Sequence, residues 1–289
     1  MKVTVLGIGL MGYPMARRLA QAGFEVHAWN RTLAKAQRLT SHGVHVHALA
    51  PDAVRQANIV LTMLDDGAAV EQVLFDGEVA AAMARDSMVV DMSSIRPIEA
   101  RDHAARLSEL HIDYLDAPVS GGTIGAEAGT LAIMVGGKAS VFDRALPFLQ
   151  ALGHPKHVGP TGAGQLAKLA NQMIVGATIG VVAEALLLCE RGGANMAKVR
   201  EAITGGFADS RILQVHGQRM VDRDFVPRGR MSVQLKDLRN ALATAQEIGF
   251  EAPITRLFEQ LYADGVQHGL ADLDHAGLFV ELASRNGMV

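Results

Sequence analysis

The chain has 289 residues, 49% of them hydrophobic and 20% charged, with 27 Lys plus Arg against 30 Asp plus Glu and a net charge of −3. That is long enough for two domains, too apolar for a disordered protein, and without the basic surplus that draws a protein to nucleic acid. Cys189 is the one cysteine in the sequence, which excludes an intramolecular disulfide framework and a cysteine-based zinc site and fits a reducing, cytoplasmic setting.

Residues 2–7, KVTVLG, read as a buried strand: β-branched, continuously apolar and closed by glycine. Arg17 and Arg18 follow soon after and no small-residue cleavage site ends the stretch, so a strand entering a tight turn is expected there and not a signal peptide. A helix follows from about Met11 to Ala22, stopped by Gly23. FEVHAWN (24–30) is the next strand, and RTLAKAQRLT then turns helical. The same beat continues with strands at 58–64, 86–94 and 111–120, and with a helix over 97–110. Alternation of this kind predicts βαβ units and a mostly parallel sheet. Residues 129–137 and 154–160 finish that sheet, with room for antiparallel members.

At Gly162 the rhythm changes. One long helical pattern runs to Glu190, and after Arg191-Gly192-Gly193 the segments 197–204, 210–220, 233–249 and 255–269 read as helices alone. The expected fold is therefore α/β, a Rossmann-type doubly wound sheet over 1–161 joined through a long helix (162–191) to an all-α domain over 162–289. The most apolar segment, Met173–Ala183, is bounded by Gln172 and Glu184 and falls short of the roughly 18–20 uncharged residues of a membrane span. Its apolar face predicts an interdomain or oligomer core, which fits a homo-oligomer, and no membrane contact.

Gly7, Ile8, Gly9, Leu10, Met11 and Gly12 form a Gly-x-Gly-x-x-Gly loop after a strand and at the start of a helix. In that context the first glycine makes the turn, the second admits a pyrophosphate, and the third lets helix and strand pack. The helix N-terminus supplies N–H groups and positive dipole to the anion. At the end of the second strand, where Asp or Glu would bind both ribose hydroxyls of NAD, stands Asn30, followed by Arg31 and Thr32. A neutral amide does not repel a 2′-phosphate and a guanidinium can pair with it, so NADP is expected ahead of NAD. The alternative is an Arg31 that is merely solvated.

Lys168, Asn171 and Gln172 fall at i, i+3 and i+4 and so share a helix face. Such a face should border a polar cleft, because burying these groups unpartnered is costly. Taken alone, Lys168 reads as a domain-end lysine reaching for water. His42, His45 and His47 invite a metal reading, but no carboxylate or cysteine completes a set nearby in the sequence, so a solvated or packed edge is expected and no metal.

Four blocks in order change the reading of Lys168. GIGLMGYPMA (7–16), DAPVSGG (116–122), GAGQLAKLANQ (162–172) and the pair DRDFVP (222–227) and QLKD (234–237) resemble the β-hydroxyacid dehydrogenase family, of the 3-hydroxyisobutyrate dehydrogenase type. KLANQ and GGFADSR (205–211) are most similar to the branch that reduces tartronate semialdehyde. The resemblance spans nearly the whole chain. It implies an NAD(P)-dependent reductase of a small carboxylate-bearing aldehyde, or dehydrogenase of the hydroxyacid, with Lys168 as general acid/base. It also implies that Ser120, Gly121 and Gly122 hold the substrate carboxylate and that Asn171 and Gln172 orient the substrate. Met63, Leu64 and Ser94 would end strands against the cofactor, while Phe225 would cover the nicotinamide side and Lys236 would approach from the helical domain. Asp65 departs from the proline common at that position, which bears on loop shape. The alternatives to tartronate semialdehyde are 3-hydroxyisobutyrate, 4-hydroxybutyrate with succinic semialdehyde, and glyoxylate. A non-catalytic dinucleotide-binding module and an imine-reducing relative both fit worse, because Lys168 is present, and the chain is too short for a 6-phosphogluconate dehydrogenase.

Overall fold

Lys2–Leu6 forms the central strand β1, flanked in parallel by β2 (Glu25–Trp29) and β4 (Ile59–Thr62). β3 (His45–His47), β5 (Met88–Asp91) and β6 (Asp113–Asp116) extend the parallel sheet on either side, in the order β3-β2-β1-β4-β5-β6. This is the doubly wound order, whose crevice lies at the carboxyl ends of the strands where the connections diverge. All four residues of β4 and of β5 are buried, as continuous apolar strands require when helices cover both faces. One face packs on Met15 and Leu19 of the helix Gly12–Gln21 and on Phe148 and Leu152; the other packs on Val54, Leu74 and Leu107. The computed structural model describes residues 1–288.

Two strand expectations are corrected. The single strand over 111–120 breaks at Ala117-Pro118, because proline has no N–H to donate to a ladder. Beyond it, β7 (Val119–Ser120) pairs antiparallel with β8 (Leu131–Gly137), which is itself antiparallel to β6 and parallel to β9 (Gly153–Gly159). β3 was not among the expected strands, since an edge strand of three residues, two of them histidines, carries no apolar run.

The chain divides into two compact units, Met1–Lys168 and a second beginning at Leu169, so the join lies seven residues beyond the expected one at Gly162. The first turns of the helix Ala163–Arg191 belong to the first unit for a physical reason. Buried Asp116 accepts from the N–H groups of Gly162 at 2.8 Å and Gln165 at 2.9 Å, capping the helix from a strand end. Gly164 lies so close that a Cβ there would sit 2.4 Å from the Met134 carbonyl. Gln165 in turn accepts from Ile95 N–H and donates to Ser93 O.

The second unit is helical: Met196–Ile203, Arg211–Asp222, Met231–Glu247, Pro253–Gly265 and a short terminal helix, Leu278–Arg285, that the sequence pattern did not announce. Its core gathers Ile179, Leu186, Leu238, Phe258, Tyr262 and Phe279. The helix Ala163–Arg191 is, by length and composition, long and apolar enough to cross a membrane, more than the segment Met173–Ala183 suggested. Here its Ile179, Val182, Ala183, Leu186 and Leu187 are core residues of the unit.

Candidate active site

In the first unit the glycine loop separates three steric roles. A Cβ on Gly7, whose φ is +102°, would lie 2.3 Å from Met63 O, and one on Gly12 would lie 1.9 Å from Gly7 O. Those two glycines are demanded by the protein itself. A Cβ on Gly9 would meet nothing within 4 Å, so the room beside it is open to a ligand. The helix Gly12–Gln21 starts with no side-chain cap and no acidic residue in its first turn, leaving N–H groups and positive dipole for an anion. Leu10 is exposed and Ile8 buried at the loop's base. This cradle fits a dinucleotide pyrophosphate.

Asn30 is engaged within the protein. Its Oδ1 accepts from Ile8 N–H at 2.9 Å and its Nδ2 donates to Thr32 O at 3.0 Å, so its amide braces the loop against the end of β2. Arg31 and Lys35, which follow, are both exposed.

Neighbouring strand ends are set by Asp91, which sequence reasoning missed. It is completely buried and accepts from Thr62 Oγ1 at 2.8 Å, Ser93 N at 3.0 Å and Tyr114 OH at 3.2 Å. Burial raises its pKa, against the bonds from Ser93 and Thr62 that lower it. Ser93 Oγ then accepts from Leu64 N–H at 3.0 Å, while Met63 N–H donates to Leu6 O. Met63, Leu64 and half-buried Ser94 thus stand together at the carboxyl ends of β4 and β5. The signal for Asp91 was available as a lone acid inside an apolar strand.

The lysine is brought to the Ser-Gly-Gly segment. Lys168 Nζ donates to the carbonyl of Val119 at 2.8 Å, one residue before Ser120. Gly121 and Gly122 follow at φ +136° and +62°, backbone that L side chains rarely adopt, and both are exposed. The segment therefore presents a hydroxyl and unshielded backbone beside an ammonium, a set suited to a small anionic carbonyl compound. Asp116 fixes the start of the lysine helix. Burial pushes its carboxyl up to about 6, against the lowering effect of the N–H bonds from Gly162 and Gln165.

The second unit holds its own polar cluster. Asn171 Nδ2 donates to Gln172 Oε1 at 2.9 Å, and Gln172 Nε2 donates to Asp237 Oδ2 at 2.7 Å and to Gln234 Oε1 at 3.2 Å. Gln234 returns a bond to Gln172 O, and Lys236 pairs with Asp237 at 3.3 Å. Asn171 and Gln172 thus share one network with QLKD. Gln172 is buried, with its amide nitrogen bonded to Gln234 and Asp237 and its oxygen to Asn171. Gln234 and Asp237, both about 1% exposed, belong to this network and were not singled out in the sequence although the QLKD motif contains them. Phe225 stacks on Phe279 with centroids 6.1 Å apart, and its carbonyl accepts from Asp274 N–H, which ties it into the helical core.

The histidines of the 42–47 segment divide between two settings. His42 stands apart, 3.2 Å from Tyr13 OH, but His45 and His47 are met on β2 by His27 and by a carboxylate, Glu25. A parallel neighbour strand, far away in sequence, supplies what local spacing lacked.

The chain matches two family models. Residues 2–169 match the NAD binding domain of 6-phosphogluconate dehydrogenase, and residues 162–281 match the NAD-binding domain of NADP-dependent 3-hydroxyisobutyrate dehydrogenase. It is 43% identical over 281 residues to 2-hydroxy-3-oxopropionate reductase of Escherichia coli, covering 96% of each chain. Among solved structures, 3-hydroxyisobutyrate dehydrogenase of Mycobacterium tuberculosis, studied with L-serine, superposes with a TM-score of 0.89 at 33% identity, covering 97% of this chain and 98% of that one. A 3-hydroxyisobutyrate dehydrogenase from Salmonella typhimurium gives the same TM-score at 29% identity, covering 96% and 99%.

Proposed function

The chain belongs to the β-hydroxyacid dehydrogenase family, NAD(P)-dependent enzymes acting on 3-hydroxyacids, and on that premise we propose that it is an NADP-preferring reductase of tartronate semialdehyde or a close semialdehyde acid. The 43% identity to a 2-hydroxy-3-oxopropionate reductase supports the substrate class. The observation that carries the chemistry is the bond from Lys168 Nζ to Val119 O.

A nicotinamide dinucleotide bound at the glycine loop supplies the hydride. The chain's own residues do the rest. The ammonium of Lys168 has three N–H bonds, and the Val119 carbonyl orients one, which aims the group along the Ser120–Gly122 segment. There it donates a proton to the substrate oxygen as negative charge develops on it, and takes the proton back when a hydroxyacid is oxidised. Ser120 Oγ and the backbone of Gly121 and Gly122 hold the carboxylate. The family resemblance alone implies that Asn171, which is bonded to Gln172, would orient the substrate and that Lys236 and Phe225 would serve the cofactor. Cofactor discrimination rests on Arg31.

A homodimer or homotetramer is part of the same reading. Ile174, Val181 and Leu188 recur every seventh residue on the helix Ala163–Arg191 and are 66%, 58% and 73% exposed. A second copy of the chain covering that stripe would remove it from water. The test of function is steady-state kinetics on tartronate semialdehyde, methylmalonate semialdehyde, succinic semialdehyde and glyoxylate with NADPH and NADH. The highest kcat/KM is expected for tartronate semialdehyde with NADPH. A tenfold or greater preference for another of the four would reassign the substrate.

A further inference from the structure

On the face of β2 and β3 that carries Glu25, His27, His45 and His47, the parallel register sets His27 opposite His45. Glu25 Oε1 lies 3.1 Å from His27 Nε2, and the other ring nitrogen of His27 lies 2.7 Å from His47 Nε2. The His45 ring stacks on His27 with centroids 4.9 Å apart. Ligand atoms of Glu25, His27 and His45 all fall within 4.8 Å of one another. Bonds of about 2.0–2.2 Å from nitrogen and oxygen to one ion need a somewhat tighter set. Glu25 and His45 are exposed and can rotate to close it, while His27 is buried and fixed.

From this geometry we propose a structural binding site for a borderline transition-metal ion, of the zinc class, held by Glu25, His27 and His45. Two imidazoles and a carboxylate select such ions over magnesium or calcium, which favour all-oxygen sets. His47 is the outer partner that orients a ligating imidazole. Without an ion, the chain closes as His47 Nε2–H to His27 Nδ1 and His27 Nε2–H to Glu25. With one, the metal replaces the proton between His27 and Glu25. The His27 proton moves to Nδ1 and donates to His47 Nε2, whose own proton moves to its Nδ1, so both rings stay neutral and no proton is lost overall. Lys2 is a competing cation: its Nζ lies 3.9 Å from Glu25 Oε1 but 3.3 Å from Gln56 Oε1, and it can remain on Gln56. The ion would pin the three-residue strand β3 to β2. Glu25 begins β2 and His27 is its central residue, three residues before Asn30, and none of the three ligands is among the residues given a part in the proposed reduction.

The experiment uses the full chain without a histidine tag, stripped with chelator, titrated with Co(II) for its visible absorption and with Zn(II) against a chromophoric chelator. One ion per chain is expected, with an increase in Tm. His45→Ala and Glu25→Gln, both at exposed positions, should each weaken Zn(II) binding at least tenfold and abolish the Tm increase. His47→Ala should weaken binding about 10–100-fold, and kcat should stay unchanged throughout. No binding by the unmodified chain, or equal binding by His45→Ala and Glu25→Gln, overturns the proposal without touching the reductase reading.

Discussion

Lys168 illustrates how one contact changes the meaning of a residue. An ammonium at a helix face is ordinarily a solvated charge, but this one is bonded to Val119 O, one residue before Ser120, and the proposed role follows from that bond. Lys168→Ala is therefore expected to lower kcat by about 10²–10⁴, the usual contribution of a general acid. NADPH affinity, followed by nucleotide fluorescence, should be unchanged, because the glycine loop is intact. A variant keeping more than about a tenth of the wild-type kcat would remove Lys168 from the acid role. At Arg31 the expectation concerns cofactor choice. A charge-assisted pair with a phosphate contributes about 1.5–3 kcal/mol, roughly ten- to a hundredfold in affinity. Arg31→Leu should cost NADPH that much in kcat/KM and leave NADH unaffected, and added salt should shrink the difference because Arg31 is exposed. Equal losses with both cofactors would mean that Arg31 supports the loop and not the phosphate.

At the scale of the element, the glycine loop and the start of the long helix behave as separate devices. Gly9→Ala places its methyl in open space, so the protein should fold with near-normal Tm and bind NADPH more weakly. Gly12→Ala drives its methyl into Gly7 O and should lower Tm by several degrees or abolish soluble expression. Thermal melts of the two variants with and without NADPH separate these outcomes. If both variants melted alike, the division of roles would be wrong. At the helix start, the Asp116 carboxyl has its folded-state pKa raised from 3.8 to about 6. In that window the native state binds the proton more tightly than the unfolded chain, so this group's contribution is complete below about pH 4 and declines as pH rises through 6. Asp116→Asn cannot titrate. Its stability deficit against the wild type, measured by urea unfolding, should be largest near pH 4 and shrink by up to about 3 kcal/mol by pH 7. A deficit that does not vary with pH would show that Asp116 acts only as a helix cap.

For the molecule as a whole, the stripe Ile174, Val181 and Leu188 bears on assembly. Light scattering should give a mass two or four times 30.7 kDa, and Val181→Glu with Leu188→Glu should reduce it toward the single chain. A wild-type mass of one chain at micromolar concentration would end the oligomer reading. Architecture was broadly legible beforehand. The strand-helix beat of the first 160 residues, the glycine loop and the switch to helices at Gly162 each depend on neighbours within a dozen residues. Local periodicity and turn chemistry carry that information directly.

By itself the sequence determined the class of each half, the phosphate loop and the resemblance that singles out Lys168 and Ser120. Tertiary structure alone decided that Asn30 braces Ile8, that Asp116 caps a helix 46 residues away, that Gln172 is held by Gln234 and Asp237, and that Glu25 and His27 meet His45 and His47. The physical reason is common to all four. Each is a polar pairing made across the sheet or between helices by residues distant in sequence. Hydrophobic patterning says which face is buried, but not which buried or half-buried polar group will satisfy which other.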